Sequence, residues 1–501
     1  MISRAEKVLR LRQTPAFDDM FISLNAAPGI PAGMVRETRE VVALARKFNE
    51  EVVRPYAGDL DLKMNADPDF IPYEFVSRAN EWGFYSLWIP RVFGGRGYSM
   101  PSMSIFVEEV GSACLAMANL IGVHYLGVAT LCATWNARMI NRLCRDVAAG
   151  EKNGVPCLIS LAITEPGAGT DVEEVDLVDR ANLGCLARRV EGGYVVNGTK
   201  IFISNGHIST WHMLITYTDL EKPSENTVML AVKTGDRGFS FGRMEHKLGQ
   251  KGCPASELVF KDCFVPDERV CFGWDLPDAK PRRGRRAATM QVIDFVVSAT
   301  RAGVGAFATG GARGAFEAAL AFAAETEVNG RLLINHEWAQ CLLAEMYKNV
   351  VVSRLTYMEA NYANGQYGFY RLMQQKIMFY YLKYVPAFII EKIISPLLEN
   401  PAATRLLRRI MADGQTDEEM ERCSGMASLS KFAASDAGIK NCHLALEMMG
   451  QAGLRHDRRA EKILRDAKLL QIYEGTNQLN RLNLFKNLIG RDYPQARVFE
   501  E

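Results

Sequence analysis

The stretch LAITEPGAGTDVEE, residues 161–174, marks the point where the pattern of the chain changes. Its first residues belong to an apolar run typical of a strand, and a proline with two glycines then builds a tight turn. Such a loop can direct backbone N–H groups and the hydroxyls of Thr164 and Thr170 into a cleft. Taken alone, the stretch is more simply interpreted as a purely structural loop. The stretch therefore indicates first the beginning of a β region.

The regions on either side of this β region have helical periodicity. Residues 34–53 and 103–122 carry apolar side chains at three-to-four spacing, and residues 291–489 form long amphipathic stretches rich in Ala and Gly, which suit close helix packing in a bundle. Turn signals such as Asn197-Gly198 separate short apolar runs between them. We predict an N-terminal extension over residues 1–33, an α-helical domain over 34–156, an antiparallel β domain over 157–275 and a helical C-terminal domain over 276–501.

Composition sets limits on the function. A chain of 501 residues is long enough for about three domains and for deep pockets. Its 59 Lys+Arg and 58 Asp+Glu do not favour a nucleic acid partner. Its 11 scattered cysteines suit a reducing compartment, so we expect a cytoplasmic protein, with the mitochondrial matrix as the alternative. The apolar run 377–390 is too short to cross a bilayer, which takes about 20 residues, and we expect no transmembrane segment.

The segment LLQIYEGTNQLNR, residues 469–481, places Glu474 between an aromatic ring and a glycine. A solvated surface glutamate is the simpler interpretation when the segment is considered alone. The order and spacing of several segments favour another interpretation. These segments are IPRVFGGRGYS (89–99), TEPGAGTD (164–171), KIFISNG (200–206) and RDAKLLQIYEGTNQLNR (465–481).

In these segments the chain resembles the acyl-CoA dehydrogenase family, from about residue 34 to residue 489. The resemblance implies an α-helical N-terminal domain, a central antiparallel β domain and a C-terminal four-helix bundle. It also implies FAD bound between the β domain and the bundle, partly held by a neighbouring subunit, and therefore a homodimer or homotetramer. The implied reaction converts an acyl-CoA to a 2,3-enoyl-CoA and passes electrons to an electron-transferring flavoprotein.

By this resemblance Glu474 is the catalytic base that removes the α-proton. Burial against Tyr473 and the ligands disfavours the charged carboxylate, which raises its pKa and strengthens it as a base. Some branches of the family carry the base at the position of Thr300 instead, so here no second carboxylate competes at that position. Arg301 matches a family arginine that lies against the catalytic loop.

The resemblance also assigns ligand contacts. The residues expected at the flavin or its adenosine part are Thr164, Phe202, Ser204, Thr476 and Gln478. The residues expected at the acyl-CoA are Thr170, Tyr473 and Gly475, the last leaving room for the thioester and flavin. Each could alone be a satisfied loop residue, but in register they favour the functional interpretation.

The chain departs from the family in three places. Thr326 and Asn329 replace an arginine and a phenylalanine that reach the FAD diphosphate, and the segment EMMGQAG carries Glu447 where a glutamine is usual. The cations that could compensate are Arg331, Arg455, Arg458 and Arg459. An insertion covers about residues 368–422, for which we weigh packing on the bundle or a subunit interface, a wall of the acyl pocket, and docking to a membrane or redox partner. The N-terminal extension is the third departure.

Two other functions remain open at this point. A related flavoenzyme with a different outcome, such as an acyl-CoA oxidase or a coupled elimination, would use the same residues. A flavin-poor acyl-CoA-binding or scaffold protein would fit Thr326 and Glu447. The acyl group itself is not predicted, although Asn119, His124 and Tyr125 lie on the helix that lines the acyl chain in the family, where core packing is the alternative.

Overall fold

The computed structural model describes residues 30–275, 280–493 and 495–500. The predicted N-terminal extension therefore lies almost entirely outside the described residues. The chain then follows the predicted order of a helical region, a sheet and a second helical region.

From residue 30 onward, the N-terminal region contains six α-helices. Helix α1 continues through a π-helical turn, Asn49–Val53, into α2, and α5 is buried along almost its whole length. The helices are α1 (Ala32–Phe48), α2 (Arg54–Ala66), α3 (Tyr73–Glu81), α4 (Met100–Ala113), α5 (Leu115–Ala133) and α6 (Ala137–Asn153). Because α5 is apolar all round, it forms the centre of this region rather than its surface.

The central sheet has the order β6-β7-β3-β2-β4-β5-β8, with β1 paired to β4. Neighbouring strands in the sheet are antiparallel, as predicted, except that β4 is parallel to both β1 and β2. The strands are β1 (Ile159–Ala162), β2 (Leu186–Val190), β3 (Gly193–Ser204), β4 (Trp211–Tyr217), β5 (Thr227–Lys233), β6 (Phe239–Met244), β7 (Ala255–Pro266) and β8 (Val270–Phe272). A short helix, α7 (Val175–Val178), lies in the connection from β1 to β2. The long connections before β4 allow its parallel pairings, which hairpins would exclude.

Three long helices form the C-terminal bundle: α8 (Arg285–Glu325), α9 (Glu337–Gln366) and α15 (Asp417–Met449). A two-stranded hairpin, β9 (Glu327–Val328) and β10 (Arg331–Leu332), joins α8 to α9. The shorter helices α16 (Ala460–Lys468) and α17 (Asn477–Leu484) pack on α15.

Helix α4 joins the N-terminal region to the bundle by crossing α8 closely. A methyl group on Gly310 would come within 2.7 Å of the Glu108 carbonyl oxygen, so only glycine permits this crossing. The buried carboxylate of Glu108 pairs with Arg354 of α9. One hydrophobic core consequently runs through both helical regions.

The segment between α9 and α15 contains five short α-helices and a π-helical turn, Ile390–Ile394, between α12 and α13. The α-helices are α10 (Arg371–Gln374), α11 (Lys376–Tyr384), α12 (Ala387–Ile389), α13 (Ser395–Leu398) and α14 (Pro401–Met411). This segment packs on the N-terminal region. Lys383 pairs with the buried Glu37, and the Arg408 Nε donates to the Thr134 carbonyl at 3.0 Å.

Two helices, α5 and α8, are long and apolar enough to cross a membrane by length and composition alone. Their most apolar stretches are 83% and 78% buried inside the fold, respectively. Both therefore serve as core helices, and the described part of the chain has no further helix that passes this test.

Candidate active site

A cavity of about 630 Å³ opens between the sheet, the N-terminal helices and the bundle. Seven of the sequence-predicted side chains line it. They are Thr164, Thr170, Phe202, Ser204, Tyr473, Glu474 and Thr476. The structure thus brings together residues that are more than 300 positions apart in the chain.

The turn after β1 is fixed to the sheet by a buried ion pair. The Glu165 carboxylate lies 2.7 Å from the Lys200 ammonium, and both side chains are almost fully buried. The same carboxylate accepts hydrogen bonds from the backbone N–H groups of Gly184 (2.6 Å) and Cys185 (3.0 Å). A carboxylate with this many donors is satisfied without water, so Glu165 holds the turn and Thr164 in place.

Phe202 is presented to the cavity by an irregularity in β3. The pairing of β3 with β7 shifts register between Lys200 and Ile203, and Phe202 has a φ of 56°. The residue is 54% exposed, whereas Ile201 and Ile203 on either side of it are buried. An extra residue in a strand is a common way to redirect a side chain at a functional site. The ring offers a flat apolar surface at the cavity.

The loop that carries Glu474 has a left-handed turn of two residues. Glu474 has a φ of 57° and Gly475 a φ of 73°. The strained backbone is held by buried donors: Arg301 Nε reaches the Glu474 carbonyl at 3.2 Å, and Lys431 Nζ reaches the Gly475 carbonyl at 2.7 Å. Asn480 also donates to the Gly475 carbonyl, at 3.0 Å. The surrounding structure therefore imposes this conformation, as is common at functional sites.

The Glu474 side chain points into the cavity and meets α8. The Thr300 hydroxyl donates to Glu474 Oε2 at 2.6 Å. Burial, reinforced by the nearby charge of Glu173, raises the pKa of Glu474 to about 7, while Thr300, Arg301 and Lys431 act in the opposite direction. A carboxylate with a pKa near neutral is a stronger base than a solvated one and is still partly ionised.

Glu173 is a second carboxylate at the cavity wall and was not among the residues predicted from the sequence. It ends the 3₁₀ turn Thr170–Glu173, and its Oε2 lies 3.4 Å from Arg301 Nη2. The backbone N–H of Gly475 hydrogen-bonds the same side chain. The acidic pair after the TEPGAGTD turn was the only signal in the sequence.

Gly475 itself does not face the cavity. A methyl group at this position would come within 2.7 Å of Leu479 Cδ2, and within 3.2 Å of both Arg301 Nη2 and Glu173 Oε2. The space beside Gly475 is thus occupied by the protein, and the positive φ is a second reason for glycine here. Gln478 is exposed on α17 and does not line the cavity.

The acyl side of the cavity is mostly apolar, with a polar edge. Residues of α4, α5, α8 and α9 form it, among them Met103, Val107, Leu126, Val304 and Phe307. At the polar edge the Asn361 amide donates to the Ser104 hydroxyl at 2.9 Å and accepts from the Tyr370 hydroxyl.

Of the polar residues predicted on α5, two line this cavity and one does not. Asn119 donates to Gln250 Oε1 at 2.8 Å, and Tyr125 donates to a backbone carbonyl. His124 is fully buried, with Nε2 3.0 Å from the Tyr85 carbonyl and Nδ1 3.0 Å from the Ile159 N–H. It therefore serves packing between α5 and β1.

Two of the departures from the family contacts, Thr326 and Asn329, lie at the far end of α8, and Glu447 lies near the end of α15. Thr326 ends α8, and Asn329 forms the β9–β10 turn with a φ of 50°. The Arg458 guanidinium reaches the same end of α8, 3.5 Å from the Glu325 carboxylate, and its Nε is buried without a hydrogen-bond partner. Arg455 instead pairs with Asp457.

Three domain models of one family match the chain. They are the acyl-CoA dehydrogenase N-terminal domain (residues 36–151), middle domain (160–263) and C-terminal domain (290–367 and 391–489). A relative named probable acyl-CoA dehydrogenase fadE25, from Mycobacterium leprae (strain TN), is 27% identical over 453 residues, which cover 90% of this chain and 95% of the relative.

Solved structures agree on the fold. Butyryl-CoA dehydrogenase from Megasphaera elsdenii superposes with a TM-score of 0.67 at 21% identity, covering 90% of this chain and 97% of that one. A structure reported as an electron transferring flavoprotein of Acidaminococcus fermentans gives a TM-score of 0.68 at 23% identity, covering 90% and 98%.

The three domain models define the class of protein, a flavoenzyme that acts on acyl-CoA thioesters. The chain belongs to the acyl-CoA dehydrogenase family, whose cofactor is FAD. Its residues fit that cofactor, since the exposed ring of Phe202 and the hydroxyls of Thr164 and Ser204 surround one part of the cavity and the carboxylate of Glu474 lies in its wall.

Proposed function

We propose that this enzyme converts an acyl-CoA thioester to the 2,3-enoyl-CoA, with Glu474 as the base that removes the α-proton. The observation that carries the proposal is the position of the half-buried Glu474 carboxylate in the wall of the cavity, where it is hydrogen-bonded to Thr300. FAD, when bound, accepts the hydride from the β-carbon.

The chain's own residues support the proton transfer. Burial keeps the Glu474 carboxylate weakly solvated, which strengthens it as a base. Arg301 and Asn480 hold the Glu474 carbonyl, so the loop presents its carboxylate toward the cavity. After the transfer the neutral carboxyl remains hydrogen-bonded to Thr300, and the apolar residues of α4, α5 and α8 exclude water from the acyl chain.

In this proposal Thr164, Phe202 and Ser204 hold the flavin ring, while Thr476 and Gln478 meet the adenosine part. Thr476 also caps α17, where its hydroxyl accepts from the Leu479 N–H at 3.3 Å. Arg458 takes the place of the missing contact at Thr326, because its buried Nε lacks a partner among the described residues.

We extend the proposal to the enzyme's surroundings. The electron acceptor is an electron-transferring flavoprotein, in line with the family, and the enzyme is a homodimer or homotetramer. The eleven cysteines are all free thiols, which suits a reducing cytoplasm.

The test is anaerobic mixing of the FAD-loaded protein with a panel of acyl-CoAs. The panel contains straight, branched, cyclic and dicarboxylic acyl groups. Bleaching of the flavin absorption by at least one acyl-CoA, with formation of the enoyl-CoA, is the expected result. A protein that binds FAD but is bleached by none of them contradicts the proposal. Rapid reoxidation by O₂ in place of a dye acceptor favours an oxidase.

A further inference from the structure

Glu173 can act on Glu474 through two contacts, one with Arg301 and one with the backbone of Gly475. Its carboxylate is 3.4 Å from Arg301 Nη2, and Arg301 Nε is 3.2 Å from the Glu474 carbonyl. It also accepts from the backbone N–H of Gly475, the residue directly after Glu474. Glu173 therefore contacts the catalytic loop from the side of the β domain, and Arg301 contacts it from α8.

The charges around the loop balance. Two carboxylates, Glu173 and Glu474, lie among two cations, Arg301 and Lys431, and Arg301 and Lys431 are both fully buried. Lys431 Nζ donates to the Gly475 carbonyl at 2.7 Å and to Asn477 Oδ1 at 2.8 Å. Buried charges need such pairing, since an unpaired one is strongly destabilising.

We propose that Glu173 is a positioning residue for Glu474: its carboxylate holds Arg301 and the Gly475 backbone and supplies the second negative charge of this buried group. The proposal rests on the proposed role of Glu474 as the base. Glu173 contributes a geometric effect through the loop and an electrostatic effect through its charge. The geometric effect changes the rate of flavin reduction at all pH values, whereas the electrostatic effect moves the acidic limb of the pH profile.

The electrostatic effect has a defined sign. The negative charge of Glu173 raises the pKa of Glu474, because a second carboxylate nearby disfavours ionisation. Neutralising Glu173 therefore lowers the pKa of Glu474. The base then ionises at lower pH but is intrinsically weaker.

Other titratable groups also face this site. Arg301 comes from α8, Lys431 from α15, and Tyr473 from the loop itself. Burial lowers the pKa of Lys431 to about 7, and the charge of Glu173 opposes that shift. Without Glu173, Lys431 loses its proton more readily. In the neutral variants the pKa of Lys431 therefore falls below 7. Burial also raises the pKa of Glu173 itself, against the opposing charges of Arg301 and Lys431. The electrostatic effect is consequently measured at pH values above the pKa of Glu173 and below that of Lys431, where both groups are charged.

A further group of charges lies near Arg301. Asp294, Glu174 and Lys486 interact there, and Lys486 Nζ lies 3.0 Å from Glu174. Glu174 thus offers a matched control: it is the adjacent glutamate in the same turn, but its partner is Lys486 rather than Arg301.

The experiment is the pH dependence of flavin reduction by acyl-CoA in FAD-loaded Glu173→Gln, measured by rapid mixing from pH 5 to 9. We expect the acidic limb of the rate profile to move to lower pH by about one unit, the size typical of a nearby like charge, with a plateau rate a few-fold lower. Glu174→Gln should keep the wild-type limb. An infrared titration of the protonated carboxyl band provides a readout that does not depend on turnover, and should show the same shift.

Glu173→Asp retains the charge and shortens the side chain. Its acidic limb should coincide with that of the wild type, even if the rate falls. Glu173→Ala is a second neutral variant for the case in which Glu173→Gln does not retain FAD. A rate that falls equally at all pH values in the neutral variants, with an unmoved limb, overturns the proposal. Loss of FAD in both neutral variants also overturns it, since Glu173 would then be required for folding.

Failure of this proposal is distinguishable from failure of the proposed function. If wild-type protein is bleached by acyl-CoA and Glu474→Gln is not, the base is established whatever the Glu173 variants do. If Glu474→Gln is bleached at the wild-type rate, the proposed function fails, and the infrared titration still reports whether Glu173 shifts the carboxyl group.

Discussion

Replacement of Glu474 by glutamine is the sharpest test of the catalytic assignment. The change keeps the shape of the side chain, and the Thr300 hydroxyl that now donates to Glu474 Oε2 at 2.6 Å can donate to the amide oxygen. The backbone contacts of the loop, from Arg301 and Asn480, do not involve the carboxylate. FAD binding and acyl-CoA affinity should therefore be retained.

The expected loss of rate follows from the role of a general base. Removing such a group costs about 10²- to 10⁴-fold, equivalent to about 2.7 to 5.4 kcal/mol in the barrier. The pKa of Glu474 is about 7, so at pH 8 the wild-type base is about ten parts ionised to one protonated and the comparison is made at nearly full activity. No carboxylate at position 300 can take over, since that residue is threonine.

The assay is stopped-flow reduction of the bound flavin by acyl-CoA without oxygen. Glu391→Gln, the same chemical change at an exposed glutamate of the segment between α9 and α15, is the control and should reduce at the wild-type rate. A flavin reduction rate in Glu474→Gln within a few-fold of the wild type would refute the assignment. A large fall in acyl-CoA affinity would instead indicate a distorted site.

Three further predictions concern the residues around the base. Thr300→Val removes a hydrogen bond that lowers the pKa of Glu474. The pH profile of the rate, half-maximal near pH 7 in the wild type, should therefore move to higher pH by about one unit in stopped-flow measurements. An unmoved profile contradicts the contact. Gly475→Ala places a methyl group 2.7 Å from Leu479 Cδ2 at a φ of 73°, and should lower the free energy of unfolding by about 1 to 2 kcal/mol in denaturant titrations, whereas no loss would mean that the loop relaxes freely. Arg458→Gln removes a guanidinium whose Nε lacks a partner at the end of α8, and should weaken FAD retention by about 10-fold in equilibrium dialysis, with Arg455→Gln, which pairs with Asp457, as the unaffected control; equal retention in both would refute the diphosphate contact.

The order of the domains could be predicted because it depends on local patterns. The change from three-to-four spacing to short apolar runs occurs at the Thr164 turn, and the structure places β1 directly before it. The parallel pairing of β4 with β1 could not be predicted in this way. It depends on the path of a connection of nearly fifty residues, for which periodicity carries no information.

The candidate site shows the same division. Thr164, Ser204 and Glu474 were predicted as a group, because they belong to segments with characteristic order and spacing. Glu173 was not predicted, since its significance lies in a contact with Arg301, a residue of another domain. The segment between α9 and α15 was apolar enough to require a partner, but only the fold shows that Lys383 joins it to Glu37 of α1.

The balance of charges around Glu474 explains why a second carboxylate is useful there. Without Glu173, the Glu474 carboxylate would face only two cations, Arg301 and Lys431. Its pKa would then be lower, so it would ionise readily but be a weaker base. A pKa far above the ambient pH would leave too little of the base ionised. Each further unit lowers the ionised fraction of Glu474 tenfold, but it raises the rate of proton removal by the ionised form less than tenfold. A pKa of about 7 lies near the optimum between these limits for an enzyme that works near neutral pH. The Thr300 hydroxyl lowers the pKa of Glu474 and the Glu173 carboxylate raises it. These two residues can therefore set the pKa while Glu474 itself remains the base.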